Sequence, residues 1–335
     1  MNREVILVTG GSGFIGSHLC EKLVDLGVET VNLDNFHDNY DPMLKERNIS
    51  SLLDNPLYHL YRGDIRDNRI LDRIFTTYPI GVIIHLAALA GVRQSLAQPR
   101  DYVAVDVEGT VNLLEYAVKY QIRRFLFGSS SSVYGDNPVP FKESDRLERP
   151  LSPYAAAKIA GEMFCRTYHH LYGLSVGCLR FFTVYGPRQR PEMAIHYFTK
   201  LIDQDLEVPL FGEGNSARDY TYVDDIVRGI LGALETEYSL EVFNLGNSKT
   251  TTLLELVKLI GDTLGKEPRI KKLPVQMGDV PRTWADLSKS RKIIGYQPQI
   301  DIAEGIKRFI AWYQSQKASF ENPCVPCRSI SVPAS

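Results

Sequence analysis

The chain has 335 residues, of which 44% are hydrophobic and 23% are charged, so it can bury a sizeable core and is not intrinsically disordered. Its formal net charge of -2 argues against a nucleic-acid-binding surface, and no apolar run approaches the roughly 20 residues that a membrane helix needs. Because the first apolar strand begins at Val5 with no leader pattern before it, we expect a cytoplasmic protein.

Apolar runs alternate with helical patterns along the first half of the chain, which predicts a Rossmann-type, doubly wound parallel α/β sheet covered by helices on both faces. The predicted strands are Val5–Thr9, Glu29–Leu33, His59–Arg62, Val82–His85, Arg124–Phe127 and Ser175–Arg180. The helical patterns between them include Ile15–Leu26 and Tyr102–Tyr120. We expect this first domain to span residues 1–182.

The alternation breaks after this domain, where glycine and proline residues cluster. Helical patterns return at Leu253–Leu264 and near Ala303–Gln314, and a polar loop lies between them up to about Ala285. We expect residues 183–320 to form mainly a smaller C-terminal lobe for the substrate, with the chain crossing between the two lobes.

The cysteines divide into two groups. Those within apolar patterns, where buried thiols are common, are Cys20, Cys165 and Cys178. Cys324 and Cys327 form a CxxC in a tail at 321–335, and a lone CxxC in a loosely ordered tail is a weak indication of a metal site. None of the histidines lies in a metal-like cluster, so no metal is expected.

A glycine-rich turn joins the first strand to the first helix. Glycines at these positions allow a tight turn and a close approach of the backbone to a pyrophosphate, and the helix N-terminus adds free N–H groups. Because the turn lies between a strand and a helix, a glycine-rich turn that binds no ligand is the weaker alternative. The predicted cofactor contacts here are Gly10, Gly13, Phe14, Ile15 and Gly16.

The acidic residue Asp34 ends the second strand, where a carboxylate can accept hydrogen bonds from both ribose hydroxyls and would repel a 2′-phosphate, so NAD is favoured over NADP. A loop-capping aspartate is the alternative. Asp64 follows the third strand and suits a contact with the adenine edge, although turn chemistry would also explain it. The further predicted NAD contacts are Asn35, Ile65, Leu86, Ala87 and Ala88, together with Tyr154 and Lys158 of a later helix.

Tyr154 and Lys158 stand four residues apart in SPYAAAKIAGE, so on a helix they share one face. Free tyrosine has a pKa of about 10 and is a poor base at neutral pH, but a nearby ammonium stabilises a phenolate. A tyrosine so activated can take a hydroxyl proton while hydride leaves the same carbon. Four serines, Ser129–Ser132, follow a predicted strand at the sheet edge where ligands bind, although some of them could simply cap a loop.

The glycine turn, the serine run and the YxxxK pair together resemble the extended short-chain dehydrogenase family, over nearly the whole chain. The resemblance implies that Ser130, Tyr154 and Lys158 are the catalytic residues, that the substrate is a nucleotide sugar, and that NAD is retained through the cycle. The family's 4,6-dehydratases carry an acidic pair where Ser131 and Ser132 stand, and its decarboxylases carry a glutamate at the second of these positions. The chain therefore looks like a 4-epimerase.

Three segments are similar to the UDP-glucuronate 4-epimerase branch: DNFHDNYDPMLKERNI, HLAALAGVRQSL and RFFTVYGPRQRPEMA. The resemblance implies that Thr183, with the serine run, meets the sugar carboxylate, that Arg190 is its charge partner, and that Arg93 contacts the substrate. An arginine fork suits a carboxylate. The alternative for both Arg188 and Arg190 is a position in a solvated loop, and for Arg188 the two interpretations are equally supported.

The segment VPLFGEGNSARDYTYVDD resembles the nucleotide-binding stretch of the family. The substrate contacts that this implies are Leu210 and Phe211 at the uracil, with Arg218 and Arg282 at the diphosphate. Three positions depart from relatives: Asp106 replaces a common Asn, Gln276 replaces an Arg of UDP-glucose epimerases, and Thr283 replaces a bulky Tyr and could admit an N-acetyl group.

We therefore expect NAD-dependent interconversion of UDP-glucuronate and UDP-galacturonate through a 4-keto sugar. The alternatives are a 4-epimerase of UDP-glucose or UDP-N-acetylglucosamine, and a non-catalytic NAD-sensing protein on the same fold. A homodimer through the helices that follow Pro99 and Pro153 is also expected, because both carry apolar residues on more than one face.

Overall fold

The structure, a computed structural model, describes residues 4–274 and 280–321 of the chain. Its main sheet has seven strands, which are β1 (Val5–Thr9), β2 (Thr30–Asp34), β3 (Tyr58–Arg62), β4 (Ile80–His85), β5 (Arg124–Ser130), β6 (Ser175–Phe181) and β11 (Leu240–Leu245). The strand order is β11-β6-β5-β4-β1-β2-β3, and every neighbouring pair is parallel. The predicted doubly wound fold is confirmed, with its switch point between β1 and β4.

The helices of the described chain are α1 (Phe14–Asp25), α2 (Pro42–Ile49), α3 (Asn68–Thr77), α4 (Val92–Ala97), α5 (Pro99–Tyr102), α6 (Gly109–Lys119), α7 (Pro153–Tyr172), α8 (Ala194–Asp203), α9 (Val223–Glu235), α10 (Leu253–Leu264), α11 (Ser288–Ile294) and α12 (Ile302–Glu321). One prediction was wrong in detail. The expected continuous helix Tyr102–Tyr120 is interrupted by a π-helical turn at Val103–Glu108. A π turn inserts one residue into an otherwise regular helix, so it barely disturbs the apolar pattern.

The sheet separates two apolar cores, because side chains of a strand alternate between its faces. Ile6 and Val8 of β1 belong to the core that contains Leu19 of α1. Val5 and Leu7 belong to the other core, which α3 and α6 complete with Leu71 and Leu113, among others. Because both faces of the central strands are covered, β1 and β4 read as nearly continuous apolar runs, which is why the sequence identified them.

The C-terminal part contains three small two-stranded sheets. They pair β7 (Thr183–Tyr185) with β10 (Tyr220–Tyr222), β8 (Glu207–Phe211) with β13 (Arg269–Leu273), and β9 (Ala217–Arg218) with β12 (Thr251–Thr252). The predicted polar loop before Ala285 therefore contains a strand, β13, whose side chains are mostly exposed and so lack an apolar pattern. The boundary at residue 182 stays a prediction, although β11 lies beyond it and joins the main sheet.

The three described cysteines are buried free thiols, as predicted. Gln276, Cys324 and Cys327 lie outside the described residues. Within the described ranges, no helix is both long and apolar enough to cross a membrane.

Candidate active site

A cavity of about 500 Å³ lies along the C-terminal ends of the strands β1, β2, β4, β5 and β6. This is the edge at which ligands bind in open α/β sheets. The predicted residues that line it are Gly10, Gly13, Phe14, Ile15, Gly16, Asp34, Asn35, Asp64, Ile65, Leu86, Ala87, Ala88, Ser130, Ser131, Ser132, Tyr154, Lys158, Thr183, Arg190 and Arg218. The fold thus brings the predicted catalytic residues and NAD contacts to one cavity.

The glycine turn forms one end of the cavity. Gly10 has a positive φ of 72°, and a Cβ there would lie 2.7 Å from the backbone nitrogen of Ala87. A Cβ on Gly16 would lie 2.2 Å from the carbonyl oxygen of Gly10. Only glycine fits these two positions, and helix α1 begins directly after the turn with its first N–H groups unpaired within the helix. The backbone cradle fits the pyrophosphate of NAD.

The carboxylate of Asp34 is fixed at the end of β2. It accepts hydrogen bonds from the backbone N–H of Ser12 at 3.0 Å and of Phe36 at 2.8 Å. A carboxylate has about four acceptor positions, so capacity remains for ribose hydroxyls. Asp64 is more engaged, because Arg66 and Asn35 both donate to it, and the hydrogen bonds from Arg66 lower the pKa of Asp64 to about 2.

Helix α7 presents its polar side chains to the site at intervals of four residues. Ser152 caps the helix by accepting a hydrogen bond from the backbone N–H of Ala155 at 3.1 Å. The Nζ atom of Lys158 lies 5.9 Å from the centre of the Tyr154 ring and 5.1 Å from that of the Phe127 ring. The lysine is almost completely buried, and the helix alone sets its position relative to the tyrosine.

The four serines have different environments. Ser129 donates to the buried carboxylate of Glu162 at 2.6 Å, so its hydroxyl is part of the core. The Oγ atom of Ser130 accepts from the backbone N–H of Ser132 at 3.1 Å and also lies 3.1 Å from that serine's hydroxyl. Ser130 therefore caps a short 3₁₀ turn, Ser131–Tyr134, while it faces the cavity.

Behind these serines lies a buried ion pair. Arg180 of β6 donates to both oxygens of Glu162, at 2.8 and 2.7 Å, and both side chains are at most 2% exposed. Glu162 continues the series Tyr154 and Lys158 along α7, one turn further on. The pair therefore ties the helix that carries the tyrosine to β6, the neighbour of the strand that ends in the serine run.

At the substrate end, Thr183 and Thr283 line the cavity together with Arg190. Arg190 already donates to the carbonyl oxygen of Ala90 at 3.0 Å and pairs with Glu192 at 3.1 Å. A sugar carboxylate at Arg190 would therefore have to share the guanidinium with Glu192.

Five residues that the sequence analysis considered for the substrate lie outside the cavity lining. They are Arg93, Arg188, Leu210, Phe211 and Arg282. Arg93 packs over the ring of Phe211 at 5.2 Å, Leu210 is buried in the apolar core, and Arg282 forms a backbone bridge with Ala217. Arg188 lies outside the cavity lining, and its side chain is partly buried. It pairs with Glu21 of α1 at 2.7 Å, which gives it a structural role.

Sequence reasoning missed Tyr40 and Lys45, which also line the cavity. Lys45 is 6% exposed, its Nζ donates to the carbonyl oxygen of His37 at 2.9 Å, and burial lowers its pKa. The helical spacing could have indicated that Lys45 is buried, because Lys45 shares one face of α2 with Asn48 and Ile49, at i+3 and i+4. A buried cation in this cavity is suited to the negative charge of a dinucleotide.

Across the described ranges, no group of three or more His, Cys, Asp or Glu side chains is arranged to hold a metal ion.

The chain was compared with known proteins. The model of the NAD dependent epimerase/dehydratase family matches residues 6–246. A UDP-glucuronate 4-epimerase of Thermodesulfobacterium geofontis is 41% identical over 91% of this chain and 95% of its own length. The crystal structure of UDP-glucuronic acid 4-epimerase from Bacillus cereus, in complex with UDP-glucuronic acid and NAD, is 37% identical with a TM-score of 0.88, over 93% of this chain and 99% of that one. A UDP-glucose 4-epimerase of Thermotoga maritima, with UDP-glucose, is 35% identical with a TM-score of 0.84, over 93% and 99% respectively.

Proposed function

Because the chain belongs to the NAD dependent epimerase/dehydratase family, we propose that it is an enzyme that interconverts UDP-glucuronate and UDP-galacturonate by epimerisation at C4. The observation that carries this proposal is the serine run at the cavity. Ser131 and Ser132 line it beside Ser130. The resemblance implies that the family's 4,6-dehydratases carry acids for the elimination at these two positions. The cavity thus offers groups for oxidation and reduction at C4, and its serine run has no acid to remove water from the intermediate.

In the proposed reaction, Tyr154 accepts the proton of the 4-hydroxyl, directly or through the hydroxyl of Ser130. Lys158 stabilises the negative charge of the phenolate. The glycine turn and Asp34 would hold NAD, which would supply the acceptor for the C4 hydride and the source from which the hydride is returned to C4. The 4-keto sugar turns over in the cavity between these two steps, so that the hydride reaches its opposite face.

A second candidate function is the epimerisation of neutral or N-acetylated UDP-sugars. Thr283 favours it, because this small residue lines the cavity and leaves room beside a sugar. The pairing of Arg190 with Glu192 also weakens the case for a carboxylate partner at that position. A non-catalytic NAD-sensing protein is disfavoured by the shared cavity of Ser130, Tyr154 and Lys158.

Proton NMR of reactions with UDP-glucuronate and, side by side, with UDP-glucose and UDP-N-acetylglucosamine tests the proposal. We expect a UDP-galacturonate signal to grow at the expense of UDP-glucuronate, at a higher kcat/KM than for either neutral sugar. A preference for a neutral sugar would refute the uronic acid assignment, and no turnover of any of the three would favour the NAD-sensing alternative.

Replacing Thr183 by Val tests how the carboxylate is held. Oxidation at C4 creates a ketone β to the C5 carboxylate, and such an acid loses CO₂ when its C–COO bond aligns with the carbonyl π system. A hydrogen bond to a charged group contributes about 1.5–3 kcal/mol, so we expect Thr183→Val to raise the ratio of UDP-4-keto-pentose to epimer about tenfold or more. NMR of the products measures the ratio. An unchanged ratio with unchanged NAD affinity would mean that the carboxylate is held elsewhere.

The assembly of two chains through α7 is a further proposal. Phe164, Leu171 and Tyr172 are exposed hydrophobic residues that share one face of this helix, at i, i+7 and i+8. We expect light scattering to report a homodimer and the double change Phe164→Glu, Leu171→Glu to give a monomer. Leu206 is also exposed but lies between α8 and β8 and not on α7, so Leu206→Glu serves as the control. A wild-type monomer at high concentration would exclude the dimer.

A cytoplasmic location also stays a prediction.

A further inference from the structure

The π-helical turn Val103–Glu108 brings the carboxyl group of Asp106 against the catalytic helix. Asp106 is 1% exposed, and its Oδ1 atom accepts a hydrogen bond from the backbone N–H of Leu89 at 2.8 Å. Its Oδ2 atom lies 3.9 Å from Nζ of Lys158 and has no hydrogen-bond partner among the described residues. A buried carboxylate oxygen without a hydrogen bond is costly, so its proximity to a buried ammonium calls for an explanation.

The ammonium of Lys158 is itself buried and also requires a counter-charge. Its side chain is 5% exposed, and the neighbouring rings of Phe127 and Tyr154 offer only the weaker attraction of a cation for an aromatic face. A charge buried without a counter-charge tends to neutralise itself. Asp106 supplies a full negative charge, and its Oδ2 atom lies 3.9 Å from Nζ of Lys158.

The other titratable groups around Asp106 do not compete for this role. From β4, His85 is held neutral because burial lowers its pKa to about 3, and its ring joins Thr110, whose hydroxyl donates to the backbone oxygen of Asp106 at 2.6 Å. Tyr102 donates its hydroxyl to the carbonyl oxygen of Gly91, and burial raises its pKa, so it stays neutral. Apart from burial and Asp106, the charged groups that affect the pKa of Tyr102 include Arg190 and Glu192, which pair with one another.

We propose that Asp106 is a positioning residue of this site, whose carboxylate is the counter-charge of the Lys158 ammonium and thereby determines the pH range in which Tyr154 and Lys158 act together. The expected effect on the kinetics rests on the proposed function, whereas the pairing of Asp106 with Lys158 does not. Burial raises the pKa of Asp106 to about 6, against the opposing effect of Lys158, so the counter-charge is present above that pH and is lost below it.

The test is Asp106→Asn, which removes the charge and keeps an acceptor for the N–H of Leu89. An ammonium without its counter-charge stabilises a phenolate at lower pH and also loses its own proton at lower pH. We therefore expect both limbs of the pH profile of kcat/KM to move to lower pH by about one unit. Asp106→Glu, which keeps the charge, should restore the limbs even at a reduced rate. Asp225 is a buried aspartate on α9 that accepts backbone hydrogen bonds from Gln299 and Ile300, so Asp225→Asn is the matched control and should leave the limbs in place.

A second measurement does not depend on turnover. In protein labelled with ¹³C at lysine Cε, the Lys158 signal is identified by its absence in Lys158→Arg, and its titration midpoint should fall by about one unit in Asp106→Asn. A shift here without any turnover by the wild type would support the pairing and refute the proposed function. A fixed midpoint, or a uniform loss of rate at every pH, would refute the pairing. If Asp106→Asn does not fold, Asp106→Ser removes the same charge in a smaller side chain.

Discussion

Replacing Tyr154 by phenylalanine is expected to lower kcat by about 100- to 10,000-fold, the usual contribution of a positioned general acid or base. Phenylalanine keeps the ring that lies 5.9 Å from Nζ of Lys158 and 6.1 Å from the ring of Tyr102, and it removes only the hydroxyl. The loss therefore measures proton transfer and not packing. Initial rates with UDP-glucuronate, followed by NMR, give kcat.

Two controls make this result specific. NAD affinity, measured by calorimetry, should change little, because the glycine turn and Asp34 lie on other elements. Tyr102→Phe removes a neighbouring hydroxyl whose hydrogen bond goes to the carbonyl oxygen of Gly91 and should reduce the rate far less. A Tyr154→Phe protein with more than a tenth of the wild-type rate would assign the base to another residue.

Replacing Glu162 by alanine is expected to lower the free energy of unfolding by about 3–5 kcal/mol, the usual cost of breaking a buried ion pair on one side. The change leaves the guanidinium of Arg180 buried without its carboxylate and removes the acceptor of the Ser129 hydroxyl. Urea denaturation followed by circular dichroism measures the effect, at one fixed NAD concentration because bound ligand adds stability.

An exposed ion pair provides the comparison for this change. Glu148 pairs with Arg146 at 3.5 Å while both side chains are mostly in solvent, so Glu148→Ala should cost less than about 1 kcal/mol. The double change Glu162→Leu, Arg180→Met should recover part of the stability that Glu162→Ala loses, because apolar side chains need no counter-charge. A cost for Glu162→Ala as small as that for Glu148→Ala would show that the buried pair contributes nothing beyond a surface pair.

The parts of the molecule that the sequence predicted well are those that depend on neighbours along the chain. Strand β1 and helix α10 have the predicted bounds, because apolar periodicity and local caps determine them. The glycine turn and the Tyr154–Lys158 spacing are also local patterns, so the sequence alone indicates the candidate residues at both.

The parts that could not be predicted depend on contacts between distant segments. Arg188 was considered for the substrate or for solvent, yet its partner is Glu21, which is 167 residues away in the chain. The pairing of Arg190 with Ala90 is of the same kind. The environment of Asp106 depends on a π turn that apolar periodicity does not reveal.

The position of β11 has a practical consequence for anyone who wishes to produce the dinucleotide-binding part alone. Strand β6 is paired with β5 on one side and with β11 on the other, along six residues from Leu240 to Leu245. A fragment that stopped at residue 182 would keep β6 and lose the strand that covers it. The uncovered backbone N–H and C=O groups of a long, apolar strand would then be available to pair with other molecules, so such a fragment would be prone to aggregate. A usable fragment must therefore include β11, or replace it with a strand that covers the same edge.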